Sequence, residues 1–497
     1  MLALLALAGL LAGCTSLHRA GESSPKVRNV AVCQRYLEAL DREAAENDVI
    51  DAQAARVEGY PFLRADRFLA SFPPGTLDPD AFAEWLDRLQ ALDLDGRRVE
   101  IHNLPQTSRE YVAARFNGVG QDPRSLVHRA ERCGSVLRHD LVDSPDLRYE
   151  LASRVRVPDD YLDWQRVVGL YPLSQIPFAL GVQAWQRDTA REFAEPIDTL
   201  PLRGEPVTYA PIATPTLAPV AAAAHLKKWS ENPLAAPSPS SDELYWILLA
   251  HAPVLVVDTA TDDDRIGALE IGAGWGSRVA TQEPIVYAYP SHARWRGAVL
   301  LQLNYVMWFP ARPSDGAFDL LSGQLDGITW RVTLAPDGSV LVADAIHNCG
   351  CYHLFFPSAG LRPVAFGAAE EERPFVPQTL PTLRSGERFE LRIESRTHYI
   401  RRVLAVADVP SDSRRYEIRH YDALRSLVAP NRARRSLFGP DGIVLGTERA
   451  ERFLFWPMGV PDPGAMRQRG HHATAFVGRR HFDDPWLIER SFEAVGP

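Results

Sequence analysis

The spacing of apolar residues predicts helices in the first part of the chain. From about residue 30 to residue 200 the apolar positions recur three or four residues apart, which is the period of a helix with one buried face. Gly134 follows one such run, at a position typical of a helix C-cap. The residues that carry the pattern are Cys33, Leu37, Leu40 and Ala44, then Phe82, Trp85, Leu86 and Leu89, then Leu126, Ala130 and Cys133.

The pattern changes after a stretch rich in proline, alanine, serine and threonine. Residues 201–241 carry this composition, which cannot bury enough side chain to fold compactly, so we expect a linker or a long surface excursion there. Beyond it the apolar period becomes two. Alternation over 328–334, a turn at 335–338 and renewed alternation over 340–342 predict a β-hairpin, and 389–393 predicts another strand.

These elements predict an α+β protein. We expect a mainly helical N-terminal domain over 30–200, followed by a larger antiparallel, sandwich-like β domain over 242–497. A chain of 497 residues exceeds what one hydrophobic core usually supports, which also favours two domains.

The extreme N-terminus has the pattern of an export signal. Residues 1–13 are apolar but too short to cross a bilayer, and they end in Leu-Ala-Gly before Cys14. This ending resembles the bacterial lipobox, which implies cleavage before Cys14 and a diacylglycerol on its sulfur. Residues 14–29 would then form a tether. Thr15 after the cysteine implies, by the lipoprotein sorting pattern, the outer membrane and a protein that faces the periplasm.

Charge and cysteine content narrow the functional classes. The net charge of -9 argues against a phosphate-tracking surface, so we expect no nucleic-acid partner. Export places the four cysteines other than Cys14 in an oxidising compartment. Cys33 and Cys133 lie on apolar helical stripes, where they could form a disulfide or remain two buried thiols.

A cluster of chemistry-bearing residues occupies 347–353. His347, Cys349, Cys351 and His353 are spaced by two, so an extended strand would direct all four to one side. Three interpretations remain open: a redox-active Cys-Gly-Cys disulfide, a site for a divalent transition metal such as zinc or copper, or a structural disulfide with two hydrogen-bonded histidines. The metal interpretation needs distant ligands, for which the candidates are His471 and His472.

A family resemblance covers residues 253–356. The matching elements are Pro253-Val254-Leu255, the acidic and glycine segment 262–267, Val286-Tyr287-Ala288-Tyr289, the segment 304–310, and Asp326-Gly327-Ile328-Thr329-Trp330. Their order resembles the β-sandwich of necrosis-inducing-like secreted proteins. The histidine-rich metal block of that family is replaced here, although Trp330 is kept. The resemblance therefore implies a related sandwich whose metal site is lost or rebuilt from residues such as His347 and His353.

No complete catalytic arrangement can be read from the chain. It contains no HExxH, Walker loop, GxSxG elbow or Rossmann glycine fingerprint. The leading hypothesis is a membrane-anchored envelope lipoprotein that acts as a binding or scaffold protein toward an envelope protein or a small molecule. The rival is a metal- or thiol-dependent envelope enzyme that uses the cluster at 347–353.

Overall fold

The computed structural model describes residues 25–495, except 74, 76, 117, 273–275, 317 and 365–371. The predicted signal segment 1–13 and Cys14 lie outside the described residues. The predicted tether reaches residue 29, but a helix already begins at Pro25, so its last five residues are helical.

Local capping signals explain where several helices begin. Asp78, Asp122 and Ser144 each accept a hydrogen bond from the first turn of the helix that follows, with proline at the first helical position. The helices are α1 (Pro25–Glu46), α2 (Arg67–Ala70), α3 (Pro79–Asn103), α4 (Gln106–Arg115), α5 (Pro123–Asp143), α6 (Pro145–Arg154), α7 (Asp163–Val168), α8 (Tyr171–Ala194), α9 (Pro219–Trp229), α10 (Ser241–His251), α11 (Arg452–Phe455) and α12 (Leu487–Ser491).

Two short strands lie among the N-terminal helices, and the remaining described strands begin at residue 205 or later. They are β1 (Ala55–Arg56), β2 (Arg64–Ala65), β3 (Glu205–Pro211), β4 (Val254–Thr259), β5 (Ala268–Ile271), β6 (Ser277–Ala280), β7 (Ile285–Trp295), β8 (Ala298–Arg312), β9 (Gly323–Leu334), β10 (Val340–His347), β11 (Leu354–Pro357), β12 (Leu361–Pro363), β13 (Arg388–Ile393), β14 (Ile400–Val406), β15 (Arg414–His420), β16 (Leu427–Val428), β17 (Arg434–Arg435) and β18 (Phe492–Ala494). The predicted hairpin corresponds to β9 and β10, and the predicted strand at 389–393 to β13.

One large mixed sheet organises the described strands, in the order β11-β10-β9-β8-β7-β15-β3-β4-β13-β14. The part from β7 to β11 is antiparallel, as the sequence predicts. Parallel pairs join β15 to both β3 and β7, and β13 to β4. These parallel pairs connect strands that are far apart in sequence. Local alternation and turn residues do not indicate which distant strands will pair.

The segment predicted to be a linker is instead part of the fold. Within 201–241, β3 pairs with β4 and β15 inside the large sheet, and α9 follows it. Tyr209 is fully buried and Trp229 nearly so. Proline occupies the first turn of α9, and a run of alanines, which favour helix, follows it. The same residues that suggested a linker therefore form a helix.

The described N-terminal helices share an apolar core to which α1, α3 and α5 contribute. Cys33 of α1 and Cys133 of α5 form a disulfide. The C-cap prediction for Gly134 is wrong, because α5 continues to Asp143. A Cβ at Gly134 would come within 2.6 Å of the Gln90 amide, so the glycine allows α3 and α5 to approach closely.

Ion pairs, one of them buried, connect the early part of the chain to later parts. Both carboxylate oxygens of Asp51 accept hydrogen bonds from Arg425, at 2.9 and 2.6 Å. Arg67 likewise pairs with Asp160 and with Asp483. None of the helices in the described part of the chain combines the length and the apolar character that crossing a bilayer demands.

Candidate functional site

The predicted cluster at 347–353 lies in a tight turn rather than in an extended strand. β10 ends at His347, whose backbone N–H donates to the carbonyl of Cys351. Gly350 has a φ of 91°, and a Cβ there would lie 2.6 Å from the carbonyl oxygen of Ala473. Tyr352 also adopts a left-handed backbone, with a φ of 58°. The four predicted side chains therefore do not face one side.

The two histidines of the cluster face opposite sides of the sheet. Asp344 and His347 are three residues apart on β10, so their side chains lie on different faces. His353 bonds Asp344 through Nε2 at 2.8 Å, and Asp344 also pairs with Arg331. His347 lies 3.6 Å from Asp326 on the other face. One metal ion cannot be shared by these two imidazoles.

A buried charge network surrounds Asp326, and the sequence prediction missed most of it. His398 holds Asp326 through Nδ1 at 2.8 Å, and its Nε2 lies 3.5 Å from Asp264. Arg449 approaches Asp326 at 3.2 Å. Phe309 stacks on the His398 ring with the two planes 5° apart. His398 and Asp326 are fully buried, so this network links loops and strands where solvent does not reach.

Charge pairing fixes the protonation of this network. Burial alone would raise the pKa of Asp326, but Arg449 and the two histidines hold it well below its usual value. Burial would lower the pKa of His398, yet its bonds to Asp264 and Asp326 raise it. Each of these contacts favours the charged form of its group, because an opposite charge nearby offsets the cost of burial. The Asp-Gly segment of the family resemblance could have drawn attention to Asp326, whereas no local signal marks His398.

The two cysteines of the cluster are free thiols in contact with each other. Cys349 is buried, Cys351 is half-buried, and the backbone N–H of Cys351 lies 3.4 Å from Sγ of Cys349. Burial would raise the pKa of Cys349, but hydrogen bonding from Cys351 and the nearby charge of Arg449 lower it. The predicted Cys-Gly-Cys disulfide is not formed in this structure. The Cys351 thiol can instead donate a hydrogen bond to Cys349 and so favour the thiolate form of Cys349.

A buried acid lies beside these thiols. Glu451 lines the same small cavity of about 20 Å³ as Cys349 and Cys351, a space that holds about one water. Burial raises the pKa of Glu451 to about 7, against the opposing charges of Arg449 and Arg312. A carboxyl group that titrates near neutral pH can accept or supply a proton beside a thiol.

The predicted distant partners, His471 and His472, do not complete a metal site. His471 contacts Asp160 and the carbonyl of Ala52, away from the turn. His472 does reach the turn, but its Nε2 bonds the backbone carbonyl of Asn348 at 3.2 Å. Among the described residues, no group of three or more histidine, cysteine, aspartate or glutamate side chains is arranged to hold a metal.

An exposed apolar surface, which we call the α7–α8 face, lies elsewhere on the molecule. Arg166 and Phe178 attach these helices to the segment around Met458 and Phe455. Residues 167–186 contain no charged side chain. The face consists of Trp164, Val167, Val168, Leu170, Leu173, Ile176 and Leu180, each at least 57% exposed.

Comparisons with known protein families, with curated proteins and with solved structures find no match for this chain. The resemblances to the lipobox and to necrosis-inducing-like proteins therefore stay predictions, and the function is argued from the chain itself.

Proposed function

We propose that the protein is a lipid-anchored envelope protein that binds a protein partner through the α7–α8 face. The anchor is a diacylglycerol on Cys14, and the expected location is the periplasmic side of the outer membrane. The observation that carries the binding role is the α7–α8 face itself: seven large apolar side chains are exposed on two helices and the turn between them, and no charged residue occurs over 167–186. Exposed apolar patches of this kind mark interaction sites.

The composition of the face favours a protein partner over the bilayer. Helices that lie in a membrane interface usually carry lysine and arginine on their polar side. No such residue occurs over 167–186, since Arg166 lies in α7 before the apolar run and Arg187 and Arg191 lie near the C-terminal end of α8. Protein interfaces, by contrast, have a charge-poor core enriched in aromatic residues, which fits Trp164 together with the aliphatic residues of α8.

We further propose a two-part organisation. The helices of 30–200 form a supporting domain for the β-rich remainder, whose antiparallel portion from β7 to β11 is the sandwich-like element. The disulfide between Cys33 and Cys133 and the apolar core of α1, α3 and α5 support a separate helical unit.

The anchor is tested by substitution of the acylated residue. Cys14→Ser should release the protein from isolated membranes into the soluble fraction, since the acyl chains supply the membrane affinity. Retention of Cys14→Ser in washed membranes would contradict the anchor.

The binding face is tested independently in the anchored protein. Leu173→Glu with Ile176→Glu places two charges in the face, and we expect the mass of the detergent-solubilised assembly to fall to that of the single chain. Tyr149→Glu is the matched control, because Tyr149 is 77% exposed on α6, outside the face. An unchanged assembly mass in the face variant would rule out the role, and binding of the unanchored chain to plain lipid vesicles would favour the bilayer instead.

A second candidate is thiol-dependent redox exchange at Cys349 and Cys351. The observation in its favour is the contact between two free thiols beside Glu451. In this reaction the two thiols become a disulfide and lose two protons and two electrons. An incoming disulfide accepts both electrons and both protons and leaves as two thiols.

This candidate is tested with glutathione disulfide as the oxidant. We expect one disulfide between Cys349 and Cys351, found by alkylation and peptide mass mapping, and a slower reaction near neutral pH in Glu451→Gln. Glu448→Gln is the control, since Glu448 is exposed three residues away. Equal rates for all three proteins would exclude Glu451 as the proton acceptor, and unreacted thiols would exclude the exchange.

A further inference from the structure

A cavity of about 360 Å³ opens at one end of the large sheet, away from the turn at 347–353 and from the α7–α8 face. It is lined by the C-terminus of α10, the turn between β9 and β10, and the segment that leads into β13. This volume falls within the range of sites that hold small organic molecules.

Arg388 gives the cavity wall a buried charge without a counterion. Arg388 is 7% exposed, and among the described residues its side chain forms one hydrogen bond, from Nη1 to the carbonyl of Ala252 at 3.0 Å. No carboxylate among the described residues forms an ion pair with it. Arg331, Arg425 and Arg449, which are buried as well, each pair with an aspartate.

The lack of a partner at Arg388 has an energetic cost. A buried charge is stable when an opposite charge or several hydrogen bonds compensate for its lost hydration. The carbonyl of Ala252 provides one hydrogen bond and no opposite charge. Burial accordingly lowers the pKa of Arg388. Glu387 also lines the cavity, but one of its carboxylate oxygens accepts the backbone N–H of Arg384 within a local turn. The guanidinium is therefore available to an anion that enters the cavity.

A second unpaired group lies on the same wall. Nε2 of His251, at the end of α10, is buried and has no hydrogen-bond partner among the described residues. Burial and the neighbouring Arg388 lower the pKa of His251 to about 4, so the imidazole is neutral at pH 7. A neutral ring nitrogen can donate to or accept from a ligand oxygen.

The remaining wall is a mixture of apolar side chains and hydroxyl groups. Leu217, Val340, Leu380 and Phe389 provide the apolar part, and Ser339 lies beside them. A single arginine matches the two oxygens of a carboxylate, which its planar guanidinium can bind through two parallel hydrogen bonds. The apolar side chains suit a hydrocarbon body attached to that carboxylate.

We infer that this cavity binds a small monocarboxylate with an apolar body, with its carboxylate on Arg388 and its body against Leu217, Val340 and Phe389. The site is separate from the proposed membrane anchor and binding face, so it does not depend on either. The bound carboxylate gives a buried guanidinium the counterion that no described residue supplies.

Calorimetric titration of the full chain with octanoate and with 1-octanol tests the inference. Octanoate should bind at least about tenfold more tightly than 1-octanol, because only the acid can pair with Arg388. In Arg388→Met this preference should disappear. Arg98→Met is the control, since Arg98 is 50% exposed on α3, does not line the cavity and should leave octanoate affinity unchanged.

Thermal unfolding without ligand separates a binding role from a structural one. Methionine fills similar space without charge, so Arg388→Met should keep or raise the melting temperature of the ligand-free protein. A lower melting temperature would identify Arg388 as a structural residue and overturn the inference. Equal affinity of the wild-type protein for octanoate and 1-octanol, or no binding of octanoate at millimolar concentration, would overturn it as well.

Discussion

At the scale of single residues, burial determines what the predicted histidines do. The spacing makes His347 and His353 metal candidates, and His472 is a candidate distant ligand, but each is buried and lies against an aspartate or a backbone carbonyl. Sequence spacing shows where such residues occur along the chain. It does not show which face of a strand they take after a turn, and that turn depends on the close approach of Gly350 to Ala473.

His472 leads to a pH-dependent prediction. Burial, followed by the charge of Arg467, lowers the pKa of His472 to about 3. Between that value and the unfolded value near 6.5 the unfolded chain binds more protons, so the contribution of His472 to stability is lost as the pH falls through this window. His472→Gln, whose amide can still donate to the carbonyl of Asn348, should unfold with a weaker dependence on pH between about 6.5 and 3.

Urea unfolding of both proteins at several pH values in this range is the measurement. His128→Gln is a suitable control, because the His128 side chain is 69% exposed on α5. Parallel pH profiles for the wild type and His472→Gln would contradict a buried, neutral His472.

At the scale of elements, local patterns predicted what depends on local sequence. Helix α3 and the hairpin of β9 and β10 were predictable from local sequence. In each, the apolar residues that set the period and the capping or turn residues lie within a few positions of each other. β3 was not predictable, since its partners come from β4 and from β15, two hundred residues later. The proline and alanine around β3 suggest an unfolded segment. The strand is nevertheless buried, because it pairs with β4 and β15.

The role of β3 is tested at Tyr209. If 201–241 were a linker, Tyr209→Ala would leave stability unchanged. Because Tyr209 is fully buried in the sheet, we expect a loss of about 3 to 5 kcal/mol in the free energy of unfolding. Thr214→Ala, at an exposed position of the same segment, should change it by less than about 0.5 kcal/mol. Chemical denaturation provides both values.

At the scale of the whole molecule, covalent and ionic connections span long stretches of chain. The disulfide between Cys33 and Cys133 closes a separation of 100 residues, and a loop of that length corresponds to about 4 to 5 kcal/mol in the chain-entropy model. The sequence predicted this pairing as one of two alternatives, because both cysteines lie on apolar helical stripes. No sequence pattern indicated the ion pair between Asp51 and Arg425.

Removal of the disulfide should therefore weaken the protein measurably. We expect Cys33→Ala with Cys133→Ala to lower the free energy of unfolding by about 4 to 5 kcal/mol. Cys349→Ala with Cys351→Ala serves as the control, because those thiols are free. Addition of a reductant should destabilise the wild type and leave the Cys33 and Cys133 variant unaffected. If reduction changed both equally, the stabilisation would have another origin.

The position of β15 also constrains how the chain acquires its structure. Its first half pairs with β3 and its second half with β7, so it joins two portions of the sheet that do not otherwise meet along their edges. During synthesis, the edges of β3 and β7 that pair with β15 keep unpaired backbone N–H and C=O groups until residues 414–420 have been synthesised. Assembly dominated by such distant pairing is slow, and open edges recruit strands from other molecules. Chains terminated before this point should therefore aggregate rather than persist as stable fragments.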